Sequence, residues 1–294
     1  RSVSLTQLLR FVRHPVRFFV TTRLQVYLRE DAPAEDDEVF SLDALQRFNL
    51  KQRLVDDYLK GRSTPARQLS AEGILPHGAF AGLAWRQETL NVQPLTRRLA
   101  AYRAQPPEQR LIDLFFEDEA GGAFRLAGQI KGIYPGLGLL RTRPGAVKGP
   151  DILALWLEHL AWCAAEAAGD KCSTLQGTTE QFAITRTLAP DEARAHLGRC
   201  LRWYWEGLHR PLPLLNGASH AWARAVNKGG AADPLNAALK EWNGNDFNGI
   251  PGDRDDPYVQ LVMRGVAGDP IGQPEFAELA EAFYAGALAF GELS

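Results

Sequence analysis

The sequence predicts a mixed α/β protein of the α+β kind: helices, then a small mixed sheet crossed by one long helix, then helices again. Three observations carry this expectation. From Pro106 to Leu188 the chain falls into short apolar or alternating runs punctuated by Gly and Pro, as strands do. In their midst runs an apolar stretch, Ile152 to Ala168, broken only by Glu158, His159 and Glu166 and too long for a strand. On either side, apolar residues recur at helical spacing.

The elements follow in order. Ser4-Leu5-Thr6-Gln7 has the form of a capping box, and Leu8, Leu9, Phe11 and Val12 continue it as a helix. Pro15 ends that helix and starts another carrying Val16, Phe18 and Phe19. The acidic, Pro-containing stretch Glu30 to Glu38 predicts an exposed loop. Helices are expected over Leu42–Leu59 and Ala79–Tyr102, separated by Gly73 to Gly78. Leu111–Glu117, Ala123–Tyr134 and Gly138–Thr142 are predicted as consecutive antiparallel strands with turns at Gly121-Gly122, Pro135-Gly136 and Pro144-Gly145. The long helix is expected from about Pro150 to Ala168, followed by strands Cys172–Gly177 and Gln181–Leu188. The remainder is helical, ending in the clearest stripe of all: Phe276, Leu279, Ala280, Phe283, Tyr284, Ala287 and Leu288. The whole of 1–294 reads as one unit, with a helical part at 1–105, a sheet core at 106–190 and a second helical part at 191–294.

A net charge of −2 argues against a uniformly basic nucleic-acid binder, yet the charge is segregated. Residues 1–29 carry Arg1, Arg10, Arg13, Arg17, Arg23 and Arg29 without an acid, and a second basic run holds Arg125, Lys131, Arg141, Arg143 and Lys148. Cys163, Cys172 and Cys200 lack paired spacing, so reduced thiols in the cytoplasm fit better than a zinc or disulfide framework. No secretory signal or membrane-length apolar run is visible, and no membrane partner is expected. The chain opens on a helical pattern without an initiator Met, which suggests a piece of a longer polypeptide.

Several constellations invite chemistry. Asp253, Asp255 and Asp256 hint at a calcium loop, but no EF-hand Glu follows, and Asp256-Pro257 has the form of a helix start. Trp203 and Trp205 between Arg202 and Arg210 suit base stacking, although Leu197, Leu201, Tyr204 and Leu208 form an ordinary core stripe. His159 and Cys163, one turn apart on an apolar helix, are better core residues than a nucleophile pair.

Strings along most of the chain resemble the RecC C-terminal domain family, from the gamma subunit of exodeoxyribonuclease V, the RecBCD complex. They are Ser4-Leu5-Thr6, Leu8-Leu9-Arg10-Phe11, Arg13-His14-Pro15-Val16-Arg17, Leu75-Pro76-His77-Gly78-Ala79-Phe80, Leu155-Trp156-Leu157-Glu158-His159-Leu160, Glu206-Gly207-Leu208 before Pro211-Leu212, and Gly252-Asp253-Arg254-Asp255-Asp256-Pro257-Tyr258. The resemblance implies a PD-(D/E)xK restriction-endonuclease-like core surrounded by extra helices, no catalysis, and a part in guiding or separating DNA strands during double-strand-break repair and recombination. It also implies DNA and the RecB and RecD subunits of a heterotrimer as partners.

Active relatives of that fold hold Mg²⁺ through roughly Gly-x-x-Asp and Asp-x-Lys, since hard cations need oxygen ligands. At the matching positions stand Gly128, Lys131 and Arg141-Thr142-Arg143. The upstream His of the family would fall at Gly82, the helical Gln-x-x-x-Tyr at Glu158 and Trp162, and the first iron–sulfur Cys of some branches at His14. The resemblance thus implies lost catalytic positions at Lys131, Arg141 and Gly82, no metal, and no cofactor.

A cation at a metal position repels Mg²⁺ and attracts phosphate: unit charges ~4 Å apart interact by roughly 4 kcal/mol at an effective dielectric near 20. Lys131, Arg141, Arg143, Arg125, Lys148, Arg13 and Arg17 are therefore the candidate DNA-binding residues. The plainer alternative is that Arg141 and Arg143, at i and i+2, merely solvate one exposed strand face. Two other functions stay open: a working nuclease using Asp113, Glu117 or Asp118, and a protein-binding module without DNA contact.

Overall fold

A computed structural model describes residues 1–28, 41–117, 123–166, 168–229, 233–265 and 268–294. The acidic stretch Glu30–Glu38, Asp118 and the Gly121-Gly122 turn lie outside the described residues. Within them the protein is mixed α/β, with eleven α-helices and a seven-stranded mixed sheet.

The first element is one the sequence pattern conceals: β1 (Ser2–Ser4), three residues parallel to the start of β3 (Ala123–Tyr134). Ser4 then caps α1 (Leu5–Arg13) through a complete box, its hydroxyl taking the Gln7 N–H while the Gln7 side chain takes the Ser4 N–H. Pro15 opens α2 (Pro15–Thr22), and Asp43 caps α3 (Ala44–Leu59) in the same reciprocal way with Gln46. A short α4 (Ala66–Ala71) precedes α5 (Ala79–Arg98).

The sheet follows as β2 (Glu108–Glu117), β3, β4 (Gly138–Thr142), β5 (Ser173–Gln176) and β6 (Gln181–Ile184). β2, β3 and β4 are antiparallel neighbours as expected. β4 and β5 pair in parallel because α6 (Gly149–Ala165) carries the chain across one face between them. Seven residues of α6 from Ile152 to Ala164 are wholly buried, and 14 of its 17 residues lie inside the protein. Its polar interruptions are therefore satisfied inside the protein.

α7 (Pro190–Glu206), α8 (Ala218–Lys228), α9 (Pro234–Asn243), α10 (Pro257–Met263) and α11 (Pro274–Phe290) complete the helices. The α11 stripe is buried as the spacing predicts, from Phe276 to Ala287. β7 (Gly291–Leu293) then closes the sheet against β6, a second three-residue strand too short to show a period. The main core packs α1, α6, α7 and α11 on the inward sheet face through Leu126, Ile130, Ile133 and Leu139. Tyr134 and Leu140 face the other way, under Val55 of α3 and Val92, Leu95 and Leu99 at α5 and beyond.

Strand β3 is forked. β2 covers one edge over nearly its whole length, while the other edge pairs with β1 at Arg125–Ala127 and with β4 only at Ile133–Tyr134. At Gly128, between those two pairings, a Cβ would approach the Leu5 side chain to 2.9 Å, so glycine there lets α1 press against the strand. Gly132, at φ 80°, is skipped in the pairing with β2 and forms a bulge. Beyond the bulge the faces exchange: Ile130 points inward before it and Ile133 after it.

His159, wholly buried on α6, bonds the Ser173 hydroxyl at 2.8 Å and the Arg186 carbonyl at 3.1 Å. Burial lowers its pKa to about 4 from an ordinary 6.5, and burial does the same to His220. The unfolded chain therefore takes up protons below pH 6.5 that the folded chain refuses until about pH 4, and stability falls as pH drops through that window. Urea unfolding at pH 8 and pH 5 is expected to show a loss of about 2 kcal/mol from His159 alone. Replacing His159 by Gln is expected to flatten that dependence.

Candidate functional site

The site begins with a charge that has no business in its helix. Glu158 sits at the centre of α6, 6% exposed among apolar neighbours, and an ionised carboxylate there requires a partner. Arg141, on β4, provides it. Its Nε donates to Glu158 Oε2 at 2.7 Å and its Nη2 to Oε1, a bidentate pair. Its Nη1 donates to the Lys131 and Leu140 carbonyls at 2.9 and 2.8 Å.

The fork in β3 makes room for this. Where β4 stops pairing with β3, the Lys131 carbonyl is left for the guanidinium. Gly132 allows the approach, since a Cβ there would lie 3.0 Å from Arg141 Nη1. One side chain thus ties β3, β4 and α6 at the bulge.

Arg143, two residues on, also reaches α6. Its Nη1 donates to Asp151 at 2.8 Å and its Nε to the Ala146 carbonyl at 2.7 Å, with Phe48 of α3 under the guanidinium. The two arginines share one side of the sheet, as i, i+2 spacing requires, and that side holds α6 carboxylates.

The other candidates lie elsewhere. Lys131 is exposed on the outward face of the β2–β3 hairpin, on the same face as Arg125 and Gln129, and its ammonium has no ion-pair partner among the described residues. Arg125 forms a bidentate pair with Asp113 at 2.7 and 2.9 Å on that face, beside Phe115. Hydrogen bonds from Arg125 hold the Asp113 carboxyl below its ordinary value. Lys148 is exposed at the N-cap of α6, Arg13 is exposed at the end of α1, and Arg17 lies over the Tyr258 ring. Lys131 and Arg141 therefore share a backbone contact while their side chains leave on different sides.

Asp113 points outward while Glu158 lies under the inward face, so the sheet keeps these two carboxylates apart. Glu117 is exposed at the end of β2. Among the described residues, no three His, Cys, Asp or Glu side chains are grouped to hold a metal. Gly82 lies in the first turn of α5, its carbonyl bonded by Arg86. Trp162 donates to Glu166 at 2.7 Å.

His14 joins two helix starts. Its Nδ1 accepts the Arg17 N–H, and its Nε2 bonds Asp256, whose other oxygen takes the Tyr258 and Val259 N–H groups of α10. Asp253 caps α8 through Gly217 and Ala218, and Asp255 bonds the Gly252 N–H, so this acidic loop works as caps. Tyr204 is buried beside Phe11, and Trp203 and Trp205 pack against the core. Cys163 Sγ lies 3.5 Å from His159 Nε2, but burial pushes the thiol up and the imidazole down, which suits neither nucleophile nor base.

Sequence reasoning missed the Arg141–Glu158 pair, although a lone Glu inside an apolar helix was its signal. The bulge was missed as well, although a glycine inside the strand and the slip of the apolar alternation from Ile130 to Ile133 were its signal.

Fold and site together define a mixed α/β domain whose sheet and crossing helix are locked by an internal arginine–carboxylate pair. The model of the RecC C-terminal domain matches residues 1–227, and the chain belongs to that family. It is 34% identical over 227 residues to the RecBCD enzyme subunit RecC of Escherichia coli strain K12, covering 76% of this chain and 19% of that protein. To the RecC subunit of Buchnera aphidicola subsp. Schizaphis graminum it is 24% identical over 272 residues, 89% of this chain and 25% of that one. To that of Mycobacterium tuberculosis strain CDC 1551 it is 27% identical over 262 residues, 87% and 23%. The chain spans about a fifth to a quarter of these curated relatives.

Removing the Arg141 side chain leaves Glu158 buried without a cation and two carbonyls without their donor. Arg141→Ala is expected to lower stability by about 2–4 kcal/mol in urea unfolding. The double change Arg141→Met/Glu158→Leu is expected to recover most of that loss, since an apolar pair needs no counter-charge. A double variant as unstable as the single one would refute this account of the pair.

Proposed function

We propose that this chain is a non-catalytic, DNA-handling and scaffolding domain of the gamma subunit of exodeoxyribonuclease V. In this reading it helps guide or separate DNA strands beside the RecB and RecD subunits in double-strand-break repair. The core is taken as a PD-(D/E)xK-like scaffold, with 1–294 as one domain of a larger cytoplasmic subunit. The observation that carries the reading is the Arg141–Glu158 pair. Where the resemblance calls for a metal-binding Asp, a guanidinium is bonded to Glu158 of α6, and Arg143 beside it holds Asp151. A divalent ion meets a positive charge there, and Glu158 has both oxygens occupied.

The DNA contact is assigned to the outward face of the β2–β3 hairpin rather than to Arg141 and Arg143, whose donors are used internally. That face offers Lys131 for phosphate and the Phe115 ring, 65% exposed, for stacking on bases, with Arg125 beside them in its pair with Asp113. Arg13, Arg17 and Lys148 are separate, weaker candidates.

Two measurements test this. The domain with Mg²⁺ or Mn²⁺ is expected to leave linear duplex and single-stranded DNA intact, and metal-dependent degradation abolished by Asp113→Ala would overturn the reading. On a forked DNA at low salt, Lys131→Ala/Phe115→Ala is expected to weaken binding about tenfold, with a shallower salt dependence. Unchanged affinity would instead favour a module that binds protein alone.

A further inference from the structure

Helix α5 has two apolar sides, and the fold uses one. Inward it buries Ala81, Val92 and Leu95. Outward it presents Leu83 and Leu90, 63% and 62% exposed, with Gln87 and Pro94 on the same line. The spacing of Leu83, Gln87, Leu90 and Pro94 is four, three, four, which places them within about 60° of one another around the helix. A lone exposed leucine needs no explanation, but two of them a heptad apart follow the rhythm of a helix–helix seam. Pro94 strengthens the point. Lacking an N–H, it leaves the Leu90 carbonyl without its helical donor, beside the seam.

The charges around the seam have one sign. Arg86, Arg97 and Arg98 are exposed, while Glu88, the acid of this helix, is buried and bonded to Asn91. A second copy of the chain, packed seam to seam, would set arginine against arginine. Nucleic acid would suit the arginines but not the two leucines between them. An amphipathic helix with an apolar seam and carboxylate flanks answers both features.

We propose that the outward face of α5 is a docking surface for such an acidic-flanked amphipathic helix from another subunit of the complex. The inference rests on the assembly reading above, and it locates one contact within it.

The test uses the full subunit that contains this chain, with its cognate RecB- and RecD-type subunits as the probe. Leu83→Gln/Leu90→Gln is expected to weaken their association at least about tenfold, as loss of an interface anchor does. Arg86→Glu/Arg97→Glu is expected to weaken it as well, and both variants are expected to melt within about 2 °C of the wild type, since the changed residues are exposed. Wild-type affinity in the leucine variant overturns the proposal. So does a loss confined to forked-DNA binding, or a wild-type self-association that the variant abolishes. A wild-type subunit that fails to assemble at all brings down the assembly reading itself, a result distinct from any of these.

Discussion

The junction of strands and crossing helix is organised around one ion pair. Glu158 is fixed under the sheet because α6 is apolar on every side, and Arg141 is fixed above it because β4 needs its backbone for β5. Their bidentate bond holds the crossing helix to the strands beside the unpaired half-edge of β3, between its pairings with β1 and β4. Remaining features of the centre adjust to it: the bulge at Gly132 admits the guanidinium, and the Lys131 carbonyl, unused by any ladder, receives it. Such a pair stabilises less than its charges suggest, because both ions leave water to form it.

The same pair explains why neighbouring cations behave so differently. Arg141 and Arg143 are drawn inward to α6 carboxylates, while Arg125 and Lys131 are turned outward by strand alternation below the bulge. A basic run in sequence has thus become two faces in space. The inward half ties β4 to α6, while on the outward half Arg125 pairs with Asp113 and Lys131 is exposed.

Much of this was legible in the sequence, in proportion to how local its causes were. The caps at Ser4 and Asp256 depend on residues three or fewer apart, and each stands as its motif requires. The stripe on α11 and the boundaries of β3 and β4 follow from periodicity and Gly/Pro punctuation. What escaped were β1 and β7, each three residues long and defined wholly by a distant partner. The site shows the same division. Lys131 and Arg141 are visible in the sequence as cations, but their parting to opposite sides hangs on a bulge marked there only by Gly132 and the slip of the apolar alternation from Ile130 to Ile133. Arg143 shows the limit most plainly: it looks like a surface cation by type and spacing, yet Asp151 and Phe48 enclose it.

The two short strands that the pattern conceals have a mechanical consequence. β1, residues 2–4, stands at one border of the strand path and β7, residues 291–293, at the other. Between them the order runs through β3, β4, β5 and β6, and because short turns join β3 to β4 and β5 to β6, tension applied across these two segments falls on the β1–β3, β4–β5 and β6–β7 ladders. The sheet therefore bears load at these three ladders, the first and last only three residue pairs long and the middle one four.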